Sequence, residues 1–360
     1  DNFCGIRLNN SVNSLIKGCN ITGNIVGIRI DNSSNNTVTN CNIYSNVGYG
    51  IYIPDFIPPS ANNTIHHNNI MGNGENAYDE CNSTWNTSVG NYWGDYTGTD
   101  ADGDGMGDIP YSIYGGGEDY HPLIYQIMIP SLFVWVDDDF NLSTPGWGID
   151  HFDNIQEAID DLKDGGICYV HPGNYEGCTI SKTITLIGEE GANISSSSDG
   201  IFITADSVTV KGFSISAQGN GIKIQNAENV AIYGCSAEGG IFGLYSVNSH
   251  DCEIADSEFY NNIKGMYIFN SSGLSITGNS ISNNSYFGIE ISHASSDNRI
   301  SDCQIENNGN YGIYITQSSN GNKIYHNNFI NNTAYDICSN KWGSTYEDCL
   351  LYTSPSPRDS

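Results

Sequence analysis

Short stretches of alternating apolar and polar residues recur along the chain at a nearly constant interval. A Gly-Ile-x-Ile-like pattern marks each copy, and its glycines are Gly5, Gly27 and Gly50 in a first run and Gly200, Gly221, Gly243, Gly265, Gly288 and Gly312 in a second. Alternation indicates strands with one buried side, and the stretches are too short and too close together for βαβ units. The pattern therefore predicts many short β-strands.

Each interval of about 22 residues holds three such stretches, as one coil of a three-sided solenoid would. A single coil cannot bury its own apolar side, so neighbouring coils must supply the core. Leucine-rich repeats have a similar period, but they need a Leu-rich consensus and a helical side, and the sequence has neither. We therefore predict an all-β protein, a right-handed parallel β-helix.

One column of the aligned coils contains only Gly, Asn, Asp and His. Its members are Gly18, Asn40, His67, Gly234, Asp256, Gly278, Asp302 and His326. These residue types are enriched in left-handed backbone conformation, so the column predicts a bend between two strands. Metal binding by His67 and His326 is the alternative.

The next column contains small residues that are predicted to point inward. It reads Cys19, Cys41, Asn68, Cys235, Ser257, Asn279, Cys303 and Asn327. Since Ser and Asn replace Cys at equivalent positions, we interpret the cysteines as buried small side chains rather than a disulfide framework. A bond between Cys19 and Cys41 remains open, because cysteines on adjacent coils lie near bridging distance.

An interruption between the two runs predicts two tandem β-helix modules. Residues 1–124 form the C-terminal part of the first module, with a cap at about 76–124, and residues 125–132 form a linker. Residues 133–348 form the second module. The last segment, 349–360, shares nothing with the repeats and looks like the translation of a transposase adaptor used in sequencing libraries, so it is set aside as non-native.

The second module is predicted to begin with a short capping helix. Residues 154–163 carry apolar side chains at 155, 158, 159 and 162, which is helical spacing, with Asn154 or Asp153 as the N-cap. At the other end, residues 333–342 repeat the start of the first cap, including Trp342 at the position of Trp85. The second cap is therefore predicted to begin and to be truncated.

The charge of the chain bears on its partners. Twelve basic and 41 acidic residues give a net charge of −29. Such a chain repels nucleic acids and anionic lipids, and it attracts divalent cations. The sequence has no apolar run of membrane-spanning length. We expect neither a nucleic-acid partner nor membrane insertion of this fragment.

An acidic loop inside the first cap matches a calcium-binding pattern. Carboxylates at Asp100, Asp102, Asp104 and Asp108, with a glycine at the sixth position, have the spacing of such a loop, and Met106 would supply a backbone carbonyl. The twelfth position is Tyr rather than a bidentate Glu. The site predicts a structural calcium ion, with a solvated acidic turn as the alternative. We expect no organic cofactor.

A column of outward residues lies at the x of Gly-Ile-x-Ile. It reads Arg7, Arg29 and Tyr52 in the first run, and Phe202, Lys223, Tyr245, Tyr267, Glu290 and Tyr314 in the second. Sugar rings stack on flat aromatic surfaces, so Tyr245, Tyr267 and Tyr314 are candidate glycan-binding residues. Tyrosine also suits exposed strands and pairs with its neighbours there, which is the alternative.

The coils, the Asn-Tyr-Trp-Gly-Asp-Tyr motif at 91–96 and the Asp-Gly-Asp-Gly loop together resemble the NosD-type β-helix family. More closely, they resemble the large surface β-helix proteins of methanogenic archaea. The resemblance implies an extracellular or cell-surface location and a polysaccharide or cell-surface glycan as ligand. Copper delivery is not carried over, because the 4 methionines and the histidines form no cluster of the kind that copper selects.

Two functions follow as expectations. The first is a non-catalytic envelope component or adhesin with a glycan-binding side, which contacts glycans and other envelope proteins. The alternative is a carbohydrate-active enzyme: a hydrolase, lyase or epimerase. Its candidate catalytic residues are Glu290, Asp256 and Asp302, but no carboxylate pair stands out from the acidic surface. Converging acids in one cleft would distinguish the two.

Overall fold

The computed structural model describes residues 3–339 except 142, 145 and 317, together with the backbone of 345–347 and 350–352. The chain divides into two compact units. The first contains Asp1–Ser131 and Leu142–Ile149, and the second contains Leu132–Asn141 and Asp150–Ser360. The position of Leu142–Ile149 in the first unit has no counterpart in the sequence pattern.

The strands of the first unit are short. They are β1 Cys4–Asn9, β2 Leu15–Lys17, β3 Asn20–Thr22, β4 Val26–Asp31, β5 Thr37–Thr39, β6 Asn42–Tyr44, β7 Tyr49–Ile53, β8 Thr64–His66, β9 Asn69–Met71, β10 Glu75–Asp79, β11 Tyr92–Trp93, β12 Tyr111–Ser112 and β13 Glu118–Asp119. Parallel pairing joins them into the sheets β1-β4-β7-β10, β2-β5-β8 and β3-β6-β9-β11, and β12 and β13 form an antiparallel pair.

The second unit repeats the same three strands through many coils. Its elements are β14 Ser131–Val136, β15 His151–Phe152, α1 Ile155–Asp161, β16 Leu162–Val170, β17 Gly173–Tyr175, β18 Cys178–Ile180, β19 Thr185–Gly188, β20 Ala192–Ser196, β21 Ile201–Ile203, β22 Thr209–Lys211, β23 Ser214–Ala217, β24 Asn220–Gln225, β25 Ala231–Tyr233, β26 Ser236–Glu238, β27 Phe242–Val247, β28 Glu253–Ala255, β29 Glu258–Tyr260, β30 Lys264–Phe269, β31 Ser275–Thr277, β32 Ser280–Ser282, β33 Ile289–Ser292, β34 Arg299–Ser301, β35 Gln304–Glu306, β36 Ile313–Ile315, β37 Lys323–Tyr325, β38 Asn328–Ile330, β39 Ile337–Ser339, β40 Thr345–Glu347 and β41 Leu350–Tyr352.

Three long sheets run along the second unit, each made of every third strand. The first sheet is β15-β14-β16-β19-β22-β25-β28-β31-β34-β37-β40, the second is β17-β20-β23-β26-β29-β32-β35-β38-β41, and the third is β18-β21-β24-β27-β30-β33-β36-β39. Pairing from coil to coil is parallel and in register. The fold is a right-handed parallel β-helix with almost no helix, as the sequence predicts.

Columns of inward aliphatic residues form the core. In the third sheet of the second unit, Ile222, Leu244, Met266, Ile289 and Ile313 stack in register and are fully buried. Each contributes about 1.5–3 kcal/mol of burial free energy, relative to an exposed side chain. The core is therefore continuous along the unit.

The glycine of each Gly-Ile-x-Ile copy is required by the next coil. A Cβ atom at Gly265 would lie 2.6 Å from the carbonyl oxygen of Gly288, and one at Gly288 would lie 2.5 Å from that of Gly312. Backbone atoms cannot yield as a flexible side chain can. This column of glycines lets adjacent coils approach closely.

The bend column has the predicted backbone conformation. All eight of its residues have positive φ, including His67 at 54° and His326 at 55°. The following column points inward, and Cys41, Cys235 and Cys303 are buried. Cys19 is partly exposed, and Cys19 and Cys41 are both free thiols rather than a disulfide. Bends and small inward residues together make the corner between two sheets.

Asparagine side chains connect the coils inside another corner of the second unit. The Nδ2 group of Asn284 donates to the backbone oxygen of Phe259 at 3.0 Å and to Oδ1 of Asn308 at 2.9 Å. The Nδ2 group of Asn308 makes the same pair of bonds, to Ile281 and Asn332. These ladders satisfy backbone groups that the turn leaves without strand partners.

The helix α1 begins after Asn154, whose side chain accepts the backbone N–H of Glu157. Ile155, Ala158 and Ile159 are its buried residues. It ends at Asp161 because Leu162 adopts an extended conformation and starts β16. In the described part of the chain, no helix is long and apolar enough to cross a membrane.

Two buried carboxylates organise residues 76–124. Asp79 accepts the indole N–H of Trp85 at 2.8 Å, and Asp119 accepts that of Trp93 at 2.9 Å. The two indole rings lie 5.6 Å apart. Each carboxylate also accepts backbone N–H groups, so both charges are fully hydrogen-bonded.

The final segment differs from expectation in one respect. Leu350–Tyr352, set aside as non-native, forms a strand that pairs with Asn328–Ile330. A parallel strand edge offers unpaired backbone groups to any extended segment that follows. Trp342 and residues 353–360 lie outside the described residues.

Candidate functional site

Aromatic and charged side chains cluster on the outward side of the third sheet of the second unit. We call it the aromatic face. It is formed by Phe202, Lys223, Phe242, Tyr245, Lys264, Tyr267, Phe287, Glu290, Tyr311 and Tyr314. One of its rows follows the x of Gly-Ile-x-Ile, and the other contains the residues immediately before the last four glycines, from Gly243 to Gly312.

The three candidate tyrosines do not form one uninterrupted stack. Tyr245 and Tyr267 are register partners, with ring centroids 5.3 Å apart and planes tilted by only 7°. Glu290 is the next register partner of Tyr267, and it separates that stack from Tyr314. Tyr314 instead packs with Phe287 and Tyr311, at 4.9 and 5.3 Å. The structure thus forms two aromatic clusters with Glu290 between them.

An ion pair occupies the gap between the clusters. Lys264 Nζ lies 2.5 Å from Glu290 Oε2, with side-chain exposures of 19% and 11%. The ammonium group lies 4.5 Å from the ring centroid of Tyr267, 5.3 Å from that of Phe242 and 5.7 Å from that of Phe287. The cation is therefore stabilised by both a carboxylate and ring faces.

Further polar groups lie beside this pair. The hydroxyl of Ser292 donates to the hydroxyl of Tyr267 at 3.2 Å, and it lies 3.1 Å from Nδ1 of His293. The ring of His293 stacks on Phe269 at 4.1 Å. Burial raises the pKa of Tyr245, and a tyrosine phenol is a protonated donor at neutral pH. The face can therefore offer ring surfaces and hydrogen bonds together.

The other candidate catalytic carboxylates do not join Glu290. Asp256 and Asp302 occupy bends between the first and second sheets, whereas Glu290 lies in β33 of the third sheet. Both have positive φ and exposed side chains, and Asp302 faces His326 at 4.0 Å. The positions that flank Glu290 in register are tyrosines. The three residues therefore do not form one catalytic group.

The corresponding sheet of the first unit bears a related surface. Arg7 and Arg29 both bind the carboxylate of Asp31, at 2.7 and 2.9 Å. The guanidinium of Arg29 lies 5.2 Å from the ring centroid of Tyr52, which packs 5.1 Å from Tyr78. Each unit thus combines paired charges with aromatic rings on the Gly-Ile-x-Ile sheet.

The acidic loop brings three of its predicted ligands together. Oxygen atoms of Asp100, Asp102 and Asp104 lie within 4.8 Å of one another. Asp100 accepts backbone N–H groups from residues 103, 104 and 105, which lowers its pKa although desolvation acts in the opposite direction. Asp108 binds the backbone N–H of Ala101 across the loop, and the backbone N–H of Met106 binds Asp104.

Sequence reasoning did not identify the row that precedes the glycines. Phe242, Lys264, Phe287 and Tyr311 all occupy the position immediately before their glycine. Aligning the coils at that position would reveal four large side chains in succession. The pairing of Lys264 with Glu290 runs diagonally between two rows, so no single aligned column could predict it.

A family model described as periplasmic copper-binding protein (NosD) matches residues 1–98 and 162–350. The chain belongs to the NosD family. A cell surface glycoprotein of Methanothermus fervidus is 41% identical over 87 residues, which are 22% of this chain and 15% of that protein. The chain therefore matches only a small part of the length of this relative.

This NosD-family chain is also similar to solved structures. Pectate lyase Pel9A is 15% identical with a TM-score of 0.48, covering 63% of this chain and 80% of its own. An alginate lyase from Paenibacillus sp. is 16% identical with a TM-score of 0.45, covering 55% and 92%. Likenesses this distant say nothing about the activity of the chain.

Among the described residues, no cluster of three or more His, Cys, Asp or Glu side chains contains the donors that copper prefers. Clusters of at least three His, Cys, Asp or Glu ligand atoms occur there at Asp100, Asp102 and Asp104, and at 137–139, and both consist of carboxylates alone. Carboxylates suit hard cations, whereas copper selects imidazole, thiolate and thioether. Burial raises the pKa of Cys235 and Cys303 to about 11, so these thiols stay protonated. We derive no copper chemistry for these residues.

Proposed function

We propose that the chain is part of an extracellular or cell-surface β-helix protein that binds polysaccharides on its aromatic face without cleaving them. The observation that supports this proposal most directly is the Tyr245–Tyr267 stack beside the Lys264–Glu290 pair. The partly exposed tyrosine rings offer apolar contacts to a sugar ring, and the neighbouring charged groups can bind its hydroxyls. The cell surface glycoprotein relative and the periplasmic description of the family support the location.

A non-catalytic role is favoured by the surroundings of Glu290. Glycoside hydrolysis uses two carboxyl groups about 5 to 9.5 Å apart across the scissile bond. The register partners of Glu290 are Tyr267 and Tyr314, and the described strands of this sheet carry no other Asp or Glu. An envelope component or adhesin fits this arrangement, and it would have glycans and other envelope proteins as partners.

The test is retention on a panel of polysaccharides, measured together with the release of new chain ends. Replacing Tyr267 or Tyr314 by Ala removes about 1 kcal/mol of stacking, so we expect affinity to fall about five- to tenfold. Tyr260→Ala is the matched control, because Tyr260 lies on the second sheet. New chain ends that disappear in Glu290→Gln would identify a carbohydrate-active enzyme instead.

We also propose that the Asp100–Asp108 loop holds a structural calcium ion. The support is the convergence of three carboxylates at the spacing of a calcium loop. The ion would hold the long loop that connects β11 to β12. Its role would be structural, to stabilise the first unit.

A further inference from the structure

The cations of the aromatic face are already neutralised. Within the described strands of the third sheet, the cationic residues are Lys223 and Lys264. Lys264 binds Glu290 at 2.5 Å, and Lys223 lies 3.9 Å from Asp199. Each ammonium group already has a carboxylate partner, which would compete with and repel a carboxylate or sulfate of a ligand. The face therefore presents charge pairs rather than positive charge.

The Lys264–Glu290 pair has the donor and acceptor pattern of adjacent sugar hydroxyls. An ammonium carries three donors and a carboxylate about four acceptor sites, so one mutual bond leaves both groups with capacity. Each retains a small exposure, 19% and 11% of the side chain. Two neighbouring hydroxyls of a sugar can donate to the carboxylate and accept from the ammonium at once. Bonds to charged groups are about twice as strong as neutral ones.

An acidic sugar would meet the opposite situation. Its carboxylate would lie next to Glu290 in a partly buried site, where like charges repel more strongly than in water. The net charge of −29 adds a long-range repulsion of polyanions. Displacing Glu290 from Lys264 would leave a nearly buried carboxylate without its cation.

We propose that the aromatic face selects neutral polysaccharides, and that Glu290 is the residue that excludes acidic ones. This inference rests on the proposed glycan-binding function. Glu290 acts both as an acceptor for sugar hydroxyls and as the anion that occupies Lys264. Tyr245 and Tyr267 supply the ring surface on one side, and Phe287 and Tyr314 supply it on the other.

The test compares the full chain on neutral polymers (glucan, mannan and galactan) with acidic ones (polygalacturonate and alginate) by affinity electrophoresis at low and moderate salt. We expect retention on at least one neutral polymer and none on the acidic polymers. Glu290→Gln is expected to weaken neutral binding about tenfold, and to create binding to an acidic polymer through the freed Lys264. Glu258→Gln makes the same chemical change on the second sheet and should alter neither.

The outcomes separate the inference from the function on which it rests. Equal or stronger retention of the wild type on acidic polymers would overturn the selection of neutral glycans while leaving glycan binding intact. So would a Glu290→Gln variant that behaves like Glu258→Gln. If no polymer of either class is retained, the proposed function itself fails. Because the wild-type comparison needs no variant, the inference stays testable even if Glu290→Gln folds poorly.

Discussion

The indole N–H of Trp93 donates to a carboxylate oxygen of Asp119 across 2.9 Å, and the two side chains are 1% and 0% exposed. The same oxygen accepts the backbone N–H of Asn91, and the other oxygen accepts that of His121. Trp93 belongs to the Asn-Tyr-Trp-Gly-Asp-Tyr motif, and Asp119 ends β13. One buried carboxylate thus joins the motif to the end of the acidic segment.

Asp119→Ala should strongly destabilise the first unit. The change leaves the indole N–H of Trp93 and the backbone N–H of Asn91 buried without an acceptor, and each such donor costs about 1–3 kcal/mol. We expect the free energy of unfolding to fall by about 3 kcal/mol or more, as measured by urea denaturation followed through tryptophan fluorescence. Glu118→Ala is the control, since Glu118 is exposed in the same strand. Equal effects of the two changes would contradict the role of Asp119.

The bend column predicts opposite effects for two substitutions at His326. Its φ of 55° is free of strain for glycine, whereas a β-branched residue there costs about 1–2 kcal/mol or more. His326→Gly should leave the melting temperature unchanged or slightly raised, and His326→Val should lower it. Tyr325→Val, one residue earlier in β37, controls for the loss of ring packing.

Metal binding by His326 would give a different result. Added divalent copper or zinc would then raise the melting temperature of the wild type but not that of His326→Gly. We expect no such difference, because the ring of His326 is exposed and its Nδ1 atom lies 4.0 Å from Oδ1 of Asp302, which is exposed as well.

The buried thiols predict an alkaline loss of stability. Burial raises the pKa of Cys235 from 9.0 to about 11. Between these values the unfolded chain loses a proton that the folded chain keeps. The contribution of this protonated thiol to the free energy of unfolding is therefore fully present below about pH 9, and it is lost as the pH rises towards about 11.

The measurement is the free energy of unfolding from pH 8 to about pH 11. The wild type should lose about 1–3 kcal/mol for this thiol over that range. Cys235→Ser should reduce the slope, and Ser257, which occupies the same column on the next coil, shows that the position accepts a hydroxyl. Ser257→Ala, which removes a non-titrating group, should leave the slope unchanged.

The calcium proposal predicts a chelator effect on the first unit. When the free calcium concentration is a hundred times the dissociation constant, the bound ion stabilises the folded state by about 2.7 kcal/mol. Chelating calcium should therefore lower the melting temperature of the first unit. Asp102→Asn should remove most of that difference, because Asp102 contributes one ligand and only one long hydrogen bond to the loop backbone. Glu75→Gln, an exposed change in the same unit, should preserve it. An identical melting curve with chelator would contradict calcium binding.

The sequence predicts those features that repeat with the coil. The glycine column, the positive-φ bends and the inward small residues each recur at one aligned position, and the structure confirms them. Tyr245 and Tyr267 could be placed as neighbours for the same reason. Such columns are visible because one physical requirement is imposed again on every coil.

Features that occur once could not be obtained in this way. Asp79 ends β10 and Asp119 ends β13, and both are fully buried under tryptophan donors. The Lys264–Glu290 pair joins residues 26 positions apart across two rows. Both arrangements depend on tertiary contacts that leave no periodic signal.

Strands that pair in register on all three sides also constrain how such a molecule can change over generations. Deleting one residue within a strand would shift its register by one position, so its inward isoleucines would point outward. The pairing of that strand with the strands of the adjacent coils would also be interrupted. Losing or duplicating a whole turn leaves all neighbouring pairs unchanged and alters the length of the aromatic face by about 4.8 Å. The span of ligand that the face can cover is therefore inherited in discrete steps, and selection can adjust it without redesigning any contact.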